Sequence, residues 1–232
     1  MLILGITTST SQVGCAIGGH EGVLASAHSA RGKRHAENLA PSIDFVRRQA
    51  RIDLSEISVV AVDVGPGLFT GLRVGIAAAK ALAHALRVPM IGISSLDLLA
   101  WPVRHTTREI VAIVDARRGE VFHARYRPTP GGVQRLTEPA VSGPDELRAD
   151  LQASDADYLL VGDGALRYAG EWDLVSTELA EQYLAHPNAA SLVQLAHARA
   201  IREDFVQTWE LEPLYLRPPD AEINWVTRDG PR

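Results

Sequence analysis

The stretch VDVGPGLFTGLRVG, residues 62–75, constrains the fold of this chain more than any other segment. It leaves the apolar run ISVVAVDV (57–64), of the kind a buried strand requires, turns through glycine and proline, and enters a segment built mostly of small residues up to residue 86. A strand, a tight glycine turn and a helix in that order form the repeating unit of an α/β sheet. The turn itself has two readings. A loop entering a helix presents free backbone N–H groups and the positive end of the helix dipole, which makes Gly65, Gly67 and Thr70 candidates for a nucleotide or anion loop. Yet the loop lacks the Lys-Ser/Thr pair of a P-loop and the Gly-x-Gly-x-x-Gly spacing of a dinucleotide site. In the second reading the glycines supply unusual backbone angles and close packing. Gly71, Gly75, Ala79 and Ala83 then fall four apart and leave a smooth face against which another helix can lie closely.

The rest of the chain supports an α/β class. Residues 2–8, 12–18 and 22–29 are short β-rich runs that predict an antiparallel meander. Residues 36–50 predict a helix with Leu39, Ile43, Val46 and Ala50 on one stripe. Phe45 lies roughly 100–120° off that stripe and has no use in a single core. PMIGI (89–93) reads as a strand, followed by a helix over 96–100 capped by Ser94 or Ser95. After Trp101 and Pro102 a similar order begins again. EIVAIVDA and EVFHARYR flank RRG as a hairpin, and YLLVGDGALRYAG (158–170) repeats the strand, glycine loop and helix. A late helix covers 189–204, RPTPGG (127–132) is a turn, and EPLYLRPP is an extended end. Two related domains are expected, 1–102 and 103–217, with 189–204 packing back on the first and 218–232 as a tail.

Composition narrows the chemistry. A net charge of −5 gives no general attraction to phosphate backbones, so any contact with RNA is expected to be indirect. Cys15 is the only cysteine, which excludes an internal disulfide and a cysteine zinc cluster and fits a reducing compartment. No two of the eight histidines lie within six residues, so a helical His-x-x-x-His metal pair is absent and no metal is expected. His35 opens the first helix beside Arg31, Lys33 and Arg34, either as a solvated helix start or as a contact for an anionic partner. MLILGITTST has no basic leader and its apolar run is short, so no signal peptide or membrane span is expected and the location expected is cytoplasmic. Asp115 in the second hairpin is a candidate carboxylate beside a nucleotide, or a turn ion pair with Arg117 and Arg118; the first hairpin offers only Thr7 at the equivalent strand end.

The pieces ILGITTST, VGPGLFTGLRVGIAAAKALA, VPMIGISSLDLLA, IVDARRGEVF, VGDGA and EPLYLR, in this order, resemble the bacterial TsaB (YeaZ) family, formerly labelled glycoproteases. The resemblance implies an actin/Hsp70-like ATPase (ASKHA) fold with two βββαβα-type domains of mixed sheets, similar to the catalytic paralogue TsaD. It implies a non-catalytic scaffold that binds TsaD, with TsaE, for threonylcarbamoyl transfer to adenosine 37 of tRNA. Catalytic relatives carry a His-x-x-x-His metal pair where this chain has Ser95 and Leu99. No cofactor is then expected in isolation, ATP or ADP only at a joint site with TsaD, tRNA only through the complex, and a homodimer when TsaD is missing. The resemblance places the partner surface on the first two helices, with His35, Leu39, Ile43, Phe45, Val46, Gly71, Val74, Gly75, Ala78 and Leu82 as its residues. Thr7 and Leu68 depart from the Asp and Ser that many members carry, and Thr7 weakens an independent ATPase reading. Two alternatives stand beside the scaffold: a self-sufficient nucleotide hydrolase or M22-type metallopeptidase, and a homodimeric regulator with its own ligand at the glycine-rich loop.

Overall fold

The computed structural model describes residues 1–30, 35–173 and 176–217, without the side chain of His35; the expected tail, 218–232, lies outside the described residues. Three strands open the chain, β1 (Leu2–Thr7), β2 (Val13–Gly19) and β3 (Gly22–Ser29), followed by α1 (His35–Ala50). Then come β4 (Ile57–Gly65), α2 (Phe69–Leu86), β5 (Met90–Ser94) and α3 (Ser95–Ala100). The five strands form one mixed sheet in the order β3-β2-β1-β4-β5, antiparallel through the meander and parallel from β1 across β4 to β5. The antiparallel part needs only tight turns, whereas parallel strands need a crossover connection, supplied by α1 ahead of β4 and by α2 between β4 and β5.

The second half repeats the plan. Its elements are β6 (Glu109–Arg117), β7 (Glu120–Thr129), β8 (Gly132–Arg135), β9 (Ala140–Ser142), α4 (Pro144–Gln152), β10 (Tyr158–Val161), α5 (Asp163–Arg167), β11 (Thr177–Leu179) and α6 (Ala189–Ile201). The sheet runs β11-β10-β6-β7-β8, with β9 also paired to β7. The β6–β7 turn holds Arg117, Arg118 and Gly119 at φ of 64°, 58° and 79°. Two successive non-glycine residues in the left-handed region are costly, and Asp115 Oδ1 supports the turn by accepting the Arg117 N–H at 2.9 Å.

Both faces of the first sheet are covered, so its strands read as unbroken apolar runs. On one face Leu39 and Val46 of α1 and Ile76 and Ala79 of α2 pack on Leu4, Ile6, Val60 and Val62. On the other, Leu192, Val193 and Ala196 of α6 pack on Ile3, Val59 and Ala61. α3 joins the halves: Leu98 belongs to the α6 side of the first sheet, while Leu96 and Leu99 pack with Ala112, Val114 and Tyr126 of the second. Ser94 caps it, its Oγ accepting the Leu96 N–H. Among the described residues no helix is long and apolar enough to cross a membrane.

Candidate functional site

The glycine-rich loop closes on the protein itself. The β1–β2 turn carries Thr8, Ser9 and Thr10, each at most 2% exposed. Ser9 lies against the loop: the Leu68 N–H donates to the Ser9 carbonyl at 2.6 Å, and a side chain at Gly67 would meet that carbonyl oxygen at 2.2 Å. Asp63, at the end of β4, accepts from Ser9 Oγ at 2.5 Å, Ser95 Oγ at 2.6 Å and the Gly65 N–H at 2.9 Å. Burial pushes its carboxyl up to about 6, against the pull of those three hydrogen bonds. Gly65 takes φ +100°, a conformation that favours glycine, and its flank is occupied by Leu72 and the Leu214 carbonyl. The loop's glycines thus serve a close approach within the domain, Gly67 against Ser9 and Gly65 against Leu72; of the three candidate anion-loop residues Gly65 is buried, Gly67 partly buried and Thr70 exposed.

Asp115 does not join that loop either. It accepts the Arg117 N–H, pairs with Arg117 at 2.9 Å and lies 3.5 Å from Arg167, while its own N–H donates to Asp163 Oδ1 at 3.0 Å. Burial raises the Asp163 carboxyl to about 6. Asp163 and Arg167 line a concavity of about 810 Å³ shared with His28, His186 and Asn188. Ser95 is spent on Asp63, and Leu99 is 1% exposed inside the core of the second sheet.

The small-residue ridge of α2 also faces inward. Gly71, Gly75, Ala79 and Ala83 are buried against their own domain. The Gly71 carbonyl accepts from Thr8 Oγ1 at 2.7 Å, and a side chain at Gly75 would meet the same hydroxyl at 2.1 Å. Gly71 and Gly75 as residues of a partner interface are thus corrected: the close approach they permit is between α2 and the β1–β2 turn. Val46, 0% exposed, is likewise core. Leu39 and Ile43, 3% and 8% exposed, belong to that core and form the floor of a groove rather than a free surface.

That groove, of about 500 Å³, runs between α1 and α2. Val74, Ala78 and Leu82 form one wall, Ala36, Ala40 and Leu54 complete it, and only Asp44 and Arg47 bring charge to its edge. The positions three and four apart that line the groove are the outward neighbours of the buried ridge, so one helix carries two apolar rows. Phe45 stands outside the lining and is 52% exposed. His35 begins α1, and its side chain lies outside the described residues. Missed in the sequence were Thr8, Ser9 and Asp63; the signal was a run of small hydroxyl residues, TTSTS, at a strand end, followed by a lone acid in an apolar strand.

Two mixed sheets, each flanked by helices and each opening with a hairpin, define the class, and comparison with known structures agrees. The activator of the 2-hydroxyisocaproyl-CoA dehydratase from Clostridium difficile with bound ADPNP superposes with a TM-score of 0.52 at 12% identity, over 93% of this chain and 100% of that one, a likeness of fold alone that agrees with the expected actin/Hsp70-like (ASKHA) architecture. YeaZ from Pseudomonas aeruginosa superposes with a TM-score of 0.81 at 26% identity, over 93% of this chain and 99% of that one. A family model described as TsaD, tRNA N6-adenosine threonylcarbamoyltransferase, matches residues 23–225. The tRNA threonylcarbamoyladenosine biosynthesis protein TsaB of Bacillus subtilis is 30% identical over 235 residues, covering 97% of this chain and 98% of that protein. An uncharacterized protein of Mycobacterium leprae is 36% identical over 225 residues; the match covers 95% of this chain and 56% of that longer protein. The chain belongs to the TsaB (YeaZ) family, within the wider TsaD family that the model describes.

Proposed function

We propose that this chain is a scaffold subunit in the formation of N6-threonylcarbamoyladenosine on tRNA, and that the groove between α1 and α2 docks the catalytic paralogue TsaD, with TsaE joining the assembly. The role in this modification is supported by the names of the relatives. The observation that carries the docking reading is the groove itself: Val74, Ala78 and Leu82 leave an apolar wall open between α1 and α2, and α1 also exposes the ring of Phe45 outside the groove. An apolar ridge from a similar helix pair would fill it in the manner of helix-in-groove recognition. In this reading an adenine nucleotide sits only at a joint site with TsaD. In the absence of that partner the same surface is available to a second copy of this chain.

Reconstitution of tRNA modification from TsaD, TsaE and a threonylcarbamoyl-adenylate donor tests the reading. Omission of this chain is expected to reduce product strongly, and Ala78→Arg, which sets a charge on the groove wall, is expected to act like omission. Full product without the chain would reject the scaffold role; full product with Ala78→Arg would reject the groove.

A further inference from the structure

The concavity of about 810 Å³ lies away from the groove, where β3 of the first half meets α5 and the stretch 182–190. None of Gly65, Gly67, Thr70 and Asp115 lines it, so it is distinct from the glycine-rich loop and the β6–β7 turn. His28 enters from β3, Asp163 and Arg167 from α5, and His186 from the segment ahead of α6, while Leu166 and Leu184 give apolar walls. Nδ1 of His186 is, among the described residues, the buried side-chain nitrogen or oxygen left without a hydrogen-bond partner. Burial first, and then the charge of His28, lower the affinity of His186 for a proton. α6 opens on the same space: Asn188 and Ala189 line it, its first turn holds no acid, and Asn188 Oδ1 accepts the Ser191 N–H at 2.7 Å. The positive end of the helix dipole therefore borders the concavity. Arg167 shares Asp115 with Arg117, at 3.5 Å against 2.9 Å, and its fork of five donors exceeds that one contact.

We propose that this concavity binds a small organic anion, an apolar ring or chain ending in a carboxylate or a phosphate, held by Arg167, His28 and His186. The apolar walls take the body of such a ligand, and the guanidinium, the two imidazoles and the start of α6 take its charge. An anion among these groups relieves the repulsion between the two imidazoles and gives the orphaned Nδ1 an acceptor. The other titratable groups of the lining are Asp163 and the exposed phenol of Tyr183, with Asp115 and Arg117 next to Asp163 from the β6–β7 turn. Burial raises the Asp163 carboxyl to about 6, so below that pH it holds a proton and donates to the anion instead of repelling it. Binding is thereby coupled to proton uptake, because a bound anion favours the charged imidazoles and the neutral acid.

Calorimetry of the full chain with benzoate, phenyl phosphate and the uncharged benzamide tests the inference, and the two anions tell a carboxylate site from a phosphate site. At least one anion is expected to bind, about tenfold or more tighter than benzamide, and to tighten by up to about tenfold per pH unit between about pH 7.5 and pH 5.5. Repetition in buffers of different ionisation heat counts the protons taken up. Arg167→Gln is expected to weaken the anion by about tenfold or more, and His186→Gln to flatten the pH dependence. His28→Gln, at an exposed strand position, should flatten it as well, and thermal midpoints report that each variant folds. The inference stands apart from the docking reading, and Ala78→Arg is expected to bind the anion as the native chain does. No heat with either anion at the lowest pH, equal affinity for benzamide, or native anion binding in a folded Arg167→Gln chain would overturn it.

Discussion

Along α2, residues 71, 75, 79 and 83 look inward, and 74, 78 and 82 line the outer groove, although both rows are small or aliphatic. The inner row owes its size to contact: Gly71 and Gly75 sit against Thr8, with no room for a side chain at 75. The outer row meets no such limit, and a larger residue there would extend toward solvent or toward a partner. Small residues thus record two different pressures on one helix, and only the surroundings tell them apart. The inner row belongs to stability and the outer one to recognition.

The inner row should break first. Gly75→Val forces two extra methyl groups and a Cβ into Thr8 and is expected to cost about 3 kcal/mol or more of unfolding free energy, measured by urea titration. A sharper form is a double-mutant cycle. Gly75→Ala alone should cost about 2 kcal/mol, and much of that should vanish in a Thr8→Ala background, because the clashing hydroxyl is gone. Additive costs would place the clash elsewhere.

Asp63, which ties the β1–β2 turn to the glycine-rich loop and to α3, gives the next effect. Its folded-state value of about 6 lies above the ordinary carboxylate value of 3.8, so the folded protein holds the proton more tightly than the unfolded chain. The stability it contributes is present in full below the ordinary value and is lost as the pH rises through about 6, by roughly 2 to 3 kcal/mol. Asp63→Asn should flatten that fall in chemical unfolding between about pH 4 and pH 7, while Asp163, also raised to about 6, keeps part of the slope. An unchanged slope in the variant would contradict the assignment. The smallest effect is expected at Phe45: its half-exposed ring belongs to none of the buried cores, so Phe45→Ser should change stability by less than about 0.5 kcal/mol while weakening partner binding.

Much of the fold was legible because its signals are local. The buried run 57–64, the meander turns and the repeated hairpin each follow from the residues that form them, and the helix stripe Leu39, Ile43 and Val46 does pack against a core. What a stripe or ridge packs against is a long-range fact. Gly71 and Gly75 are sixty-odd positions from Thr8, and no periodicity in α2 says whether its smooth row meets its own sheet or another molecule. The same limit hid the loop's fate: Ser9 fills the space beside Gly67, and TTSTS reads in sequence only as a polar break between strands. Asp115 stayed ambiguous until Asp163 and Arg167 were brought to it from across the second sheet.

The separation of the two rows of α2 is tested most directly by the affinity of the Ala78→Arg chain for its TsaD-type partner, measured by calorimetry beside the native chain. A guanidinium on the outer wall should abolish the binding heat while leaving the thermal midpoint within a few degrees of the native one. Native affinity in that variant would mean that the outer row is surface without a partner, and the groove would lose its role.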